Sequence, residues 1–284
     1  METTNFIKEE IIIGGKHKRQ ITLDVNYFKH TLNQPIIIFC HGFKGFKDWG
    51  AFNVMAKTFA SNNFFFTKLN FSHNGTTVDD FSDIHDLEAF GHNNFEIELD
   101  DLGNVIDWLG SDENRFKENI NMNELYLLGH SRGGGIAMLK TIEDVRVKKV
   151  VVWGTVNDFE KYMYMNDPLI WKETGVSYVE NSRTGIKLPL YYQFYENYYN
   201  NLSRFDIKNN LMKLDRPILL LHGTKDSTVP LEDAIWIYDN LDHSILIKIE
   251  DGDHTFGAKH PWESNILPEN MTFAIEESVA FFAF

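Results

Sequence analysis

The sequence contains a single cysteine, Cys40, among 284 residues, so no disulfide can form within the chain. A lone cysteine is typical of proteins in a reducing compartment. The first residues also lack the basic region followed by an apolar stretch that marks a secretory signal. Both absences predict a cytoplasmic location, although a chain from which a signal had been removed would look the same.

Basic residues are scarce relative to acidic ones, 27 against 41, which gives a formal net charge of −14. An acidic surface repels phosphate backbones and anionic lipid, so neither nucleic acid nor a membrane is the expected partner. No apolar run approaches the roughly 18 residues of a membrane span. The sequence also lacks repeats, low-complexity tracts and Pro/Ser-rich linkers, which predicts one domain over residues 1–284.

Short apolar runs alternate with stretches that have the pattern of helices. The predicted strands are 21–28, 36–40, 64–70, 124–128, 149–153, 218–221 and 245–249, and the predicted helices are 48–61, 97–109, 132–142, 231–241 and 268–283. Most of the later strands are continuously apolar, as expected when helices cover both faces of a sheet. The sequence therefore predicts an α/β fold with a mostly parallel sheet flanked by helices.

One stretch interrupts this alternation between Trp153 and Pro217, where about sixty residues stand in place of a single helix. We expect a helical cap over residues 155–212, inserted before the strand at 218–221. The segment is rich in aromatic residues, among them Tyr162, Tyr164, Trp171, Tyr178, Tyr191, Tyr192, Phe194, Tyr195, Tyr198 and Tyr199. These rings either line a substrate pocket or fill the core of the insertion, and both can hold.

The sequence Gly129-His130-Ser131-Arg132-Gly133 directly follows the apolar run that ends at Leu128. A Gly-X-Ser-X-Gly segment between a strand and a helix forms a sharp turn that exposes the serine hydroxyl, and it is typical of a catalytic nucleophile. A serine hydroxyl is a weak nucleophile near neutral pH, and it needs a base oriented by a carboxylate. Ser131 is therefore the candidate nucleophile.

Two later loops supply candidates for the acid and the base. Asp226 follows the strand at 218–221, and His254 follows the strand at 245–249. Because sites in α/β sheets form outside the carboxyl ends of the strands, the loops that carry these residues and Ser131 should meet in one crevice. The alternatives are Asp158 for the acid, and His260 or the less well placed His243 for the base.

An oxyanion hole is predicted from the loop His41-Gly42-Phe43-Lys44-Gly45, which follows the strand at 36–40. Acyl transfer builds negative charge on a carbonyl oxygen, and two fixed backbone N–H groups stabilise that charge. We expect these donors to be Phe43 and the residue after the nucleophile, Arg132. The Arg132 side chain either anchors a carboxylate or phenolate of the substrate or is held by solvent or by a carboxylate of the cap.

With these motifs the chain resembles the α/β-hydrolase superfamily, and within it the bacterial feruloyl/cinnamoyl-esterase-like carboxylesterases and serine-aminopeptidase-like hydrolases. Those proteins carry a similar His-Gly-Phe loop, a Gly-His-Ser-X-Gly-Gly turn, a His-Gly-X-X-Asp-X-X-Val-Pro loop, an Asp-His pair near the end and an inserted cap. The resemblance covers roughly residues 20–284. One departure is Arg132, because those esterases usually have glutamine there.

The resemblance implies a serine hydrolase that cleaves short or aromatic carboxylic esters through an acyl-enzyme. A small-molecule ester is the expected partner, and no cofactor or metal ion is expected. An aminopeptidase or amidase with the same machinery is the first alternative. A non-catalytic ligand-binding relative is the second, although such a protein has no need to keep all four motifs.

Overall fold

The computed structural model describes residues 5–81, 83–163 and 167–284, and its main feature is an eight-stranded sheet. The strands of this sheet are β1 (Phe6–Gly14), β2 (Gln20–Phe28), β3 (Gln34–Cys40), β4 (Phe65–Asn70), β5 (Ile120–His130), β6 (Val147–Trp153), β9 (Ile218–Gly223) and β10 (Ser244–Ile249). Their order across the sheet is β1-β2-β4-β3-β5-β6-β9-β10. The six strands from β4 to β10 run parallel, whereas β1 and β2 are antiparallel to their neighbours.

Helices cover both faces of the sheet. The helices of the described ranges are α1 (Phe52–Ser61), α2 (Leu87–His92), α3 (Phe95–Gly110), α4 (Arg132–Glu143), α5 (Pro168–Thr174), α6 (Gln193–Asn200), α7 (Leu202–Phe205), α8 (Ile207–Leu211), α9 (Leu231–Asp239) and α10 (Glu269–Ala283). Strand β3 shows why a central strand is apolar throughout. Ile36 and Ile38 lie in the core on one face, and Ile37 and Phe39 lie in the core on the other. The predicted α/β architecture is confirmed.

Strand β1 was not predicted from the sequence. Charged residues such as Lys8 and Glu10 interrupt its apolar positions, and within the described residues β1 pairs along one edge only, with β2. An edge strand that stays half exposed needs no continuous apolar run, so its signal in the sequence is weak. Helix α2 was also missed, because its six residues are too few to show helical periodicity.

The insertion between β6 and β9 is only partly helical. It contains a 3₁₀ turn at Glu160–Tyr162 and the helices α5 to α8, but also a hairpin of β7 (Val176–Glu180) and β8 (Lys187–Tyr191). The expectation of a helical cap was therefore wrong in this part. The signals that mark the hairpin are Gly175, which ends α5 with a φ of 72°, and Gly185 in its turn with a φ of 71°.

The aromatic residues of the insertion pack mainly on one another and on the main domain. Trp171 is buried and donates a hydrogen bond from Nε1 to the Leu190 carbonyl oxygen. The rings of Tyr192 and Tyr195 stack with centroids 5.4 Å apart. Phe95 of α3 stacks on Phe159 at 4.0 Å, which joins the insertion to the domain. Tyr164 lies outside the described residues.

No helix in the described ranges is both long enough and apolar enough to cross a membrane.

Candidate active site

Ser131 occupies the turn between β5 and α4 with φ 56° and ψ −126°, a conformation that L-residues rarely adopt. Glycine is required on both sides. A Cβ on Gly129 would come within 2.4 Å of the Gly133 carbonyl oxygen, and one on Gly133 would come within 2.4 Å of the Cys40 carbonyl oxygen. Backbone strain of this kind costs about 1–3 kcal/mol and is retained mainly at functional sites. The predicted sharp turn is present at Ser131.

Asp226 and His254 lie side by side at the carboxyl ends of β9 and β10. The distance from His254 Nδ1 to Asp226 Oδ2 is 2.7 Å, and Asp226 Oδ1 accepts hydrogen bonds from the backbone N–H groups of Thr228 and Val229 at 2.8 and 2.9 Å. Burial by itself would raise the pKa of Asp226. The hydrogen bonds from His222 and His254 outweigh burial and hold that pKa well below its usual range. Asp226 is therefore an ionised acceptor, which places a proton on Nδ1 of His254 and leaves Nε2 to act as a base.

The rival acid and bases have other partners or positions. Asp158 Oδ2 lies 2.9 Å from the ammonium of Lys208, and its Oδ1 accepts the backbone N–H of Glu160. His260 accepts the backbone N–H of Gly50 at Nδ1, 2.9 Å away. His243 is exposed and precedes β10, so it lies at the opposite end of the strand from His254. The acid that the structure brings to His254 is Asp226.

The loop after β3 approaches the nucleophile closely. A Cβ on Gly42 would lie 2.9 Å from Cβ of Ser131 and 3.4 Å from its Oγ. The Gly42 carbonyl oxygen accepts hydrogen bonds from the Gly45 N–H at 3.0 Å and from His41 Nδ1 at 2.9 Å. The Phe43 N–H belongs to the same peptide unit as this carbonyl, so it points in the opposite direction. The Arg132 N–H stands in the first turn of α4, where backbone donors have no acceptor within the helix.

His41 holds this loop in place. Burial lowers the pKa of His41 to about 4, so its ring is neutral at neutral pH. A neutral ring that donates from Nδ1 to the Gly42 carbonyl accepts at Nε2, and Asn74 Nδ2 lies 3.3 Å from that atom.

Arg132 is not among the described residues that line the cavity beside Ser131. Its guanidinium pairs with Glu98 of α3, whose side chain is only 2% exposed, and lies 4.4 Å from the Phe43 ring centroid and 5.6 Å from that of Phe95. The hypothesis that Arg132 anchors a substrate anion is therefore not supported, because Arg132 is not among the described residues that line the cavity and a buried carboxylate holds its guanidinium. That carboxylate comes from α3 and not from the cap.

Two residues that support the catalytic pair were not singled out from the sequence. Gly154 follows β6 with a φ of 51°, and a Cβ there would lie 3.2 Å from Asp226 Oδ2 and 3.3 Å from His254 Nδ1. His130 Nε2 lies 2.8 Å from the His254 carbonyl oxygen, and burial lowers the pKa of His130 to about 3, so a neutral ring donates this bond. A glycine directly after an apolar strand was the available signal for Gly154.

Ser131 and His254 share a cavity of about 200 Å³. The aromatic residues on its wall are Phe43, Trp49 and Phe52, which all precede the insertion in the sequence. From the described part of the insertion, Arg183 lines the cavity. Pocket lining by the aromatic residues of the cap is thus not seen in the described ranges. Those ranges also hold no group of three or more His, Cys, Asp and Glu side chains that could bind a metal ion.

Comparisons with known proteins match this architecture. The profile of the prolyl oligopeptidase family matches residues 52–260, well over half of the chain. Among solved structures, a putative hydrolase from Agrobacterium vitis S4 is 19% identical with a TM-score of 0.71, covering 98% of this chain and 99% of that one. Est1E from Butyrivibrio proteoclasticus is 16% identical with a TM-score of 0.68, covering 96% and 98%.

The acylaminoacyl peptidase of Pyrococcus horikoshii is 13% identical with a TM-score of 0.65, covering 99% of this chain and 42% of that one. At such identities the likeness establishes the fold. The search of curated proteins found no match. The expected resemblance to the α/β-hydrolases is confirmed, and the family match adds the group within them: the chain belongs to the prolyl oligopeptidase family and is a serine hydrolase of the α/β-hydrolase fold.

Proposed function

We propose that the protein is a carboxylesterase that hydrolyses esters through an acyl-enzyme on Ser131. The observation that carries this proposal is the 2.7 Å contact between His254 and the buried Asp226, at a cavity that His254 shares with Ser131. An ionised carboxylate behind the imidazole fixes its tautomer and stabilises the imidazolium that forms when the serine loses its proton.

In the first half of the reaction, Ser131 Oγ attacks the ester carbonyl carbon while His254 Nε2 takes the hydroxyl proton. The N–H groups of Phe43 and Arg132 hold the resulting oxyanion. The intermediate then collapses, the bond to the alcohol oxygen breaks, and His254 returns the proton to the leaving alcohol. Water repeats the sequence on the acyl-enzyme, which releases the acid and restores the Ser131 hydroxyl.

Ester cleavage is favoured over aminopeptidase activity by the charges around the cavity. An exopeptidase needs an acidic group to hold the free amine of its substrate, and no Asp or Glu is found among the described residues that line this cavity. Parallel assays with 4-nitrophenyl esters and aminoacyl 4-nitroanilides test this choice. A clear preference for the anilides would make the protein an aminopeptidase or amidase.

The cavity also favours short or aromatic acyl groups. Its volume of about 200 Å³ is small, and Phe43, Trp49 and Phe52 offer flat apolar surfaces. We expect activity to fall as the acyl chain lengthens in a series of 4-nitrophenyl esters from acetate to palmitate. Long-chain triglycerides should be poor substrates.

Labelling with a fluorophosphonate probe tests the nucleophile directly. We expect one adduct on Ser131, lost in Ser131→Ala and retained in Ser61→Ala, which removes an exposed serine hydroxyl at the end of α1. Single-turnover mass spectrometry with 4-nitrophenyl butyrate should then show the butyryl adduct on the same residue. A folded protein that is not labelled, or a Ser131→Ala variant that hydrolyses esters normally, would favour the non-catalytic alternative.

A further inference from the structure

The wall of the cavity beside Ser131 differs in charge from the chain as a whole. The chain carries a formal net charge of −14. Among the described residues that line the cavity, the Lys and Arg residues are Lys44 and Arg183, and none is an Asp or Glu. The acidic composition of the chain does not predict two cations on this wall, so their presence needs an explanation in the local structure.

The two cations come from two different loops. Lys44 stands in the loop after β3, directly after the proposed oxyanion donor Phe43, and Arg183 stands in the turn of the β7–β8 hairpin. The Lys44 ammonium donates a hydrogen bond to the backbone carbonyl of Glu180, 3.1 Å away at the end of β7. A neutral acceptor thus fixes the position of the ammonium and leaves its charge in place.

Contacts also fix the orientation of the Arg183 guanidinium, and they do not use all of its N–H donors. Its Nη2 lies 2.8 Å from Asp83 Oδ1, its Cζ lies 5.6 Å from the Phe46 ring centroid, and its side chain is 23% exposed. A guanidinium has five N–H donors, so one carboxylate contact leaves others for a second anion.

The mutual repulsion of the cations acts on Lys44. Burial lowers the pKa of Lys44, the charge of Arg183 lowers that pKa further, and Glu180 acts in the opposite direction. A bound anion would offset both the burial and the repulsion.

We propose that Lys44 and Arg183 form a subsite for a negatively charged group of the substrate, so that the enzyme prefers esters carrying a carboxylate. This inference rests on the proposed esterase function and specifies its substrate class. The apolar part of such a substrate would contact Phe43, Trp49 and Phe52, and its carboxylate would lie between the loop after β3 and the hairpin.

Matched ester pairs test the proposal. Mono-4-nitrophenyl glutarate and its methyl-capped neutral form place the charge in the acyl group. The butyrate ester of 3-hydroxybenzoate and that of its methyl ester place the charge in the leaving group. We expect kcat/KM to favour the anionic member of one pair by about 10-fold, as for one desolvated charge pair, and the preference to shrink as salt rises from 0.1 to 0.5 M. The pair that shows the preference identifies the side of the scissile bond.

Substitutions then assign the preference to the two residues. Arg183→Gln and Lys44→Met should each reduce the ratio of anionic to neutral kcat/KM at least threefold, and Arg183→Lys should restore part of it. Lys172→Gln removes the same charge from an exposed position of α5 on the same insertion, and it should leave the ratio unchanged.

The outcomes separate this inference from the function on which it rests. A wild-type ratio at or below one in both pairs, or a ratio that neither variant lowers, would overturn the subsite while esterase activity stands. If neither member of any pair is hydrolysed and Ser131 is not labelled by the fluorophosphonate, the esterase proposal fails and the subsite fails with it.

Discussion

Replacing Arg132 with methionine tests how the two proposed oxyanion donors are held. The guanidinium of Arg132 bridges two elements, because it pairs with Glu98 of α3 and lies 4.4 Å from the ring centroid of Phe43 in the loop after β3. Arg132 and Phe43 also supply the two backbone N–H groups assigned to the oxyanion. The side chain of one donor residue therefore packs on the other, and Arg132→Met keeps an apolar stem while it removes the charge.

The expected loss of stability follows from the burial of the pair. The side chains of Glu98 and Arg132 are 2% and 14% exposed, so solvent screens them little. Removing one partner of a buried ion pair typically costs about 3–5 kcal/mol, because the other charge stays uncompensated. Glu98 keeps a hydrogen bond from Asn93 Nδ2 at 2.8 Å, which offsets part of this cost. We expect Arg132→Met to lower the free energy of unfolding by about 2–4 kcal/mol at pH 7.

We expect Arg132→Met to lower kcat by displacing Phe43, and not to act through substrate binding. Loss of one oxyanion donor typically costs about 10²–10³ in kcat, and a displaced donor should cost less, about 10-fold. Urea unfolding gives the stability, and steady-state kinetics with 4-nitrophenyl butyrate give kcat and KM. Adding Glu98→Gln should recover most of the stability, because the buried charge is gone, while kcat stays low. A loss of less than about 0.5 kcal/mol in Arg132→Met, or a recovery of kcat together with stability in the double variant, would refute the proposed role of the Arg132 side chain.

Three further substitutions test the catalytic pair and the insertion. Gly154→Ala should lower kcat at least 10-fold, because the added Cβ would crowd Asp226 Oδ2 and His254 Nδ1. The control is Gly185→Ala, which has a similar positive φ but open space around it and should leave kcat unchanged. Equal kcat values in the two variants would contradict the prediction. The pKa of Asp226 is lower in the folded protein than in the unfolded chain, so its stabilising contribution is present above about pH 4 and lost as pH falls. The difference in melting temperature between wild type and Asp226→Asn should thus shrink below pH 4, and a constant difference from pH 7 to 3 would count against it. Tyr192→Ala should destabilise the insertion and change KM for phenylacetate and acetate esters equally, because its ring stacks on Tyr195; a selective effect on the aromatic ester would place the ring at the substrate.

The sequence predicted the parts of the site that depend on local signals. Ser131, Asp226 and His254 each stand in a loop that begins where an apolar strand ends, and parallel strands bring such loops to one edge of the sheet whatever their separation along the chain. The requirement for glycine at position 129 is local in the same way, because a Cβ there would meet the carbonyl oxygen of Gly133, whereas the clash at Gly133 is with the distant Cys40 carbonyl oxygen. The fold class followed from the alternation of apolar runs and helical stretches.

Features that depend on distant partners could not be predicted in this way. Glu98 precedes Arg132 by 34 residues, and only the packing of α3 against α4 shows that they pair. Arg183 lies in a surface turn whose sequence carries no mark of the cavity that it reaches. The sequence pattern of the rings in the insertion is the same whether they line a pocket or fill a core. Their contacts in the structure distinguish the two. The cytoplasmic location and the absence of macromolecular partners stay predictions.

The contrast between total charge and local charge explains why the proposed substrate class could not be predicted from the sequence. A net charge of −14 acts on objects as large as a nucleic acid or a membrane, which meet many surface charges at once. A small substrate inside the cavity responds chiefly to groups within a few ångströms, because ions screen exposed charges beyond about 8–10 Å. Among the described residues that line the cavity, the Lys, Arg, Asp and Glu residues are Lys44 and Arg183, whereas the carboxylates that act on them, Asp83 and Glu180, are not among those lining residues. The acidic composition that argues against nucleic acid is therefore consistent with an enzyme that selects anionic esters.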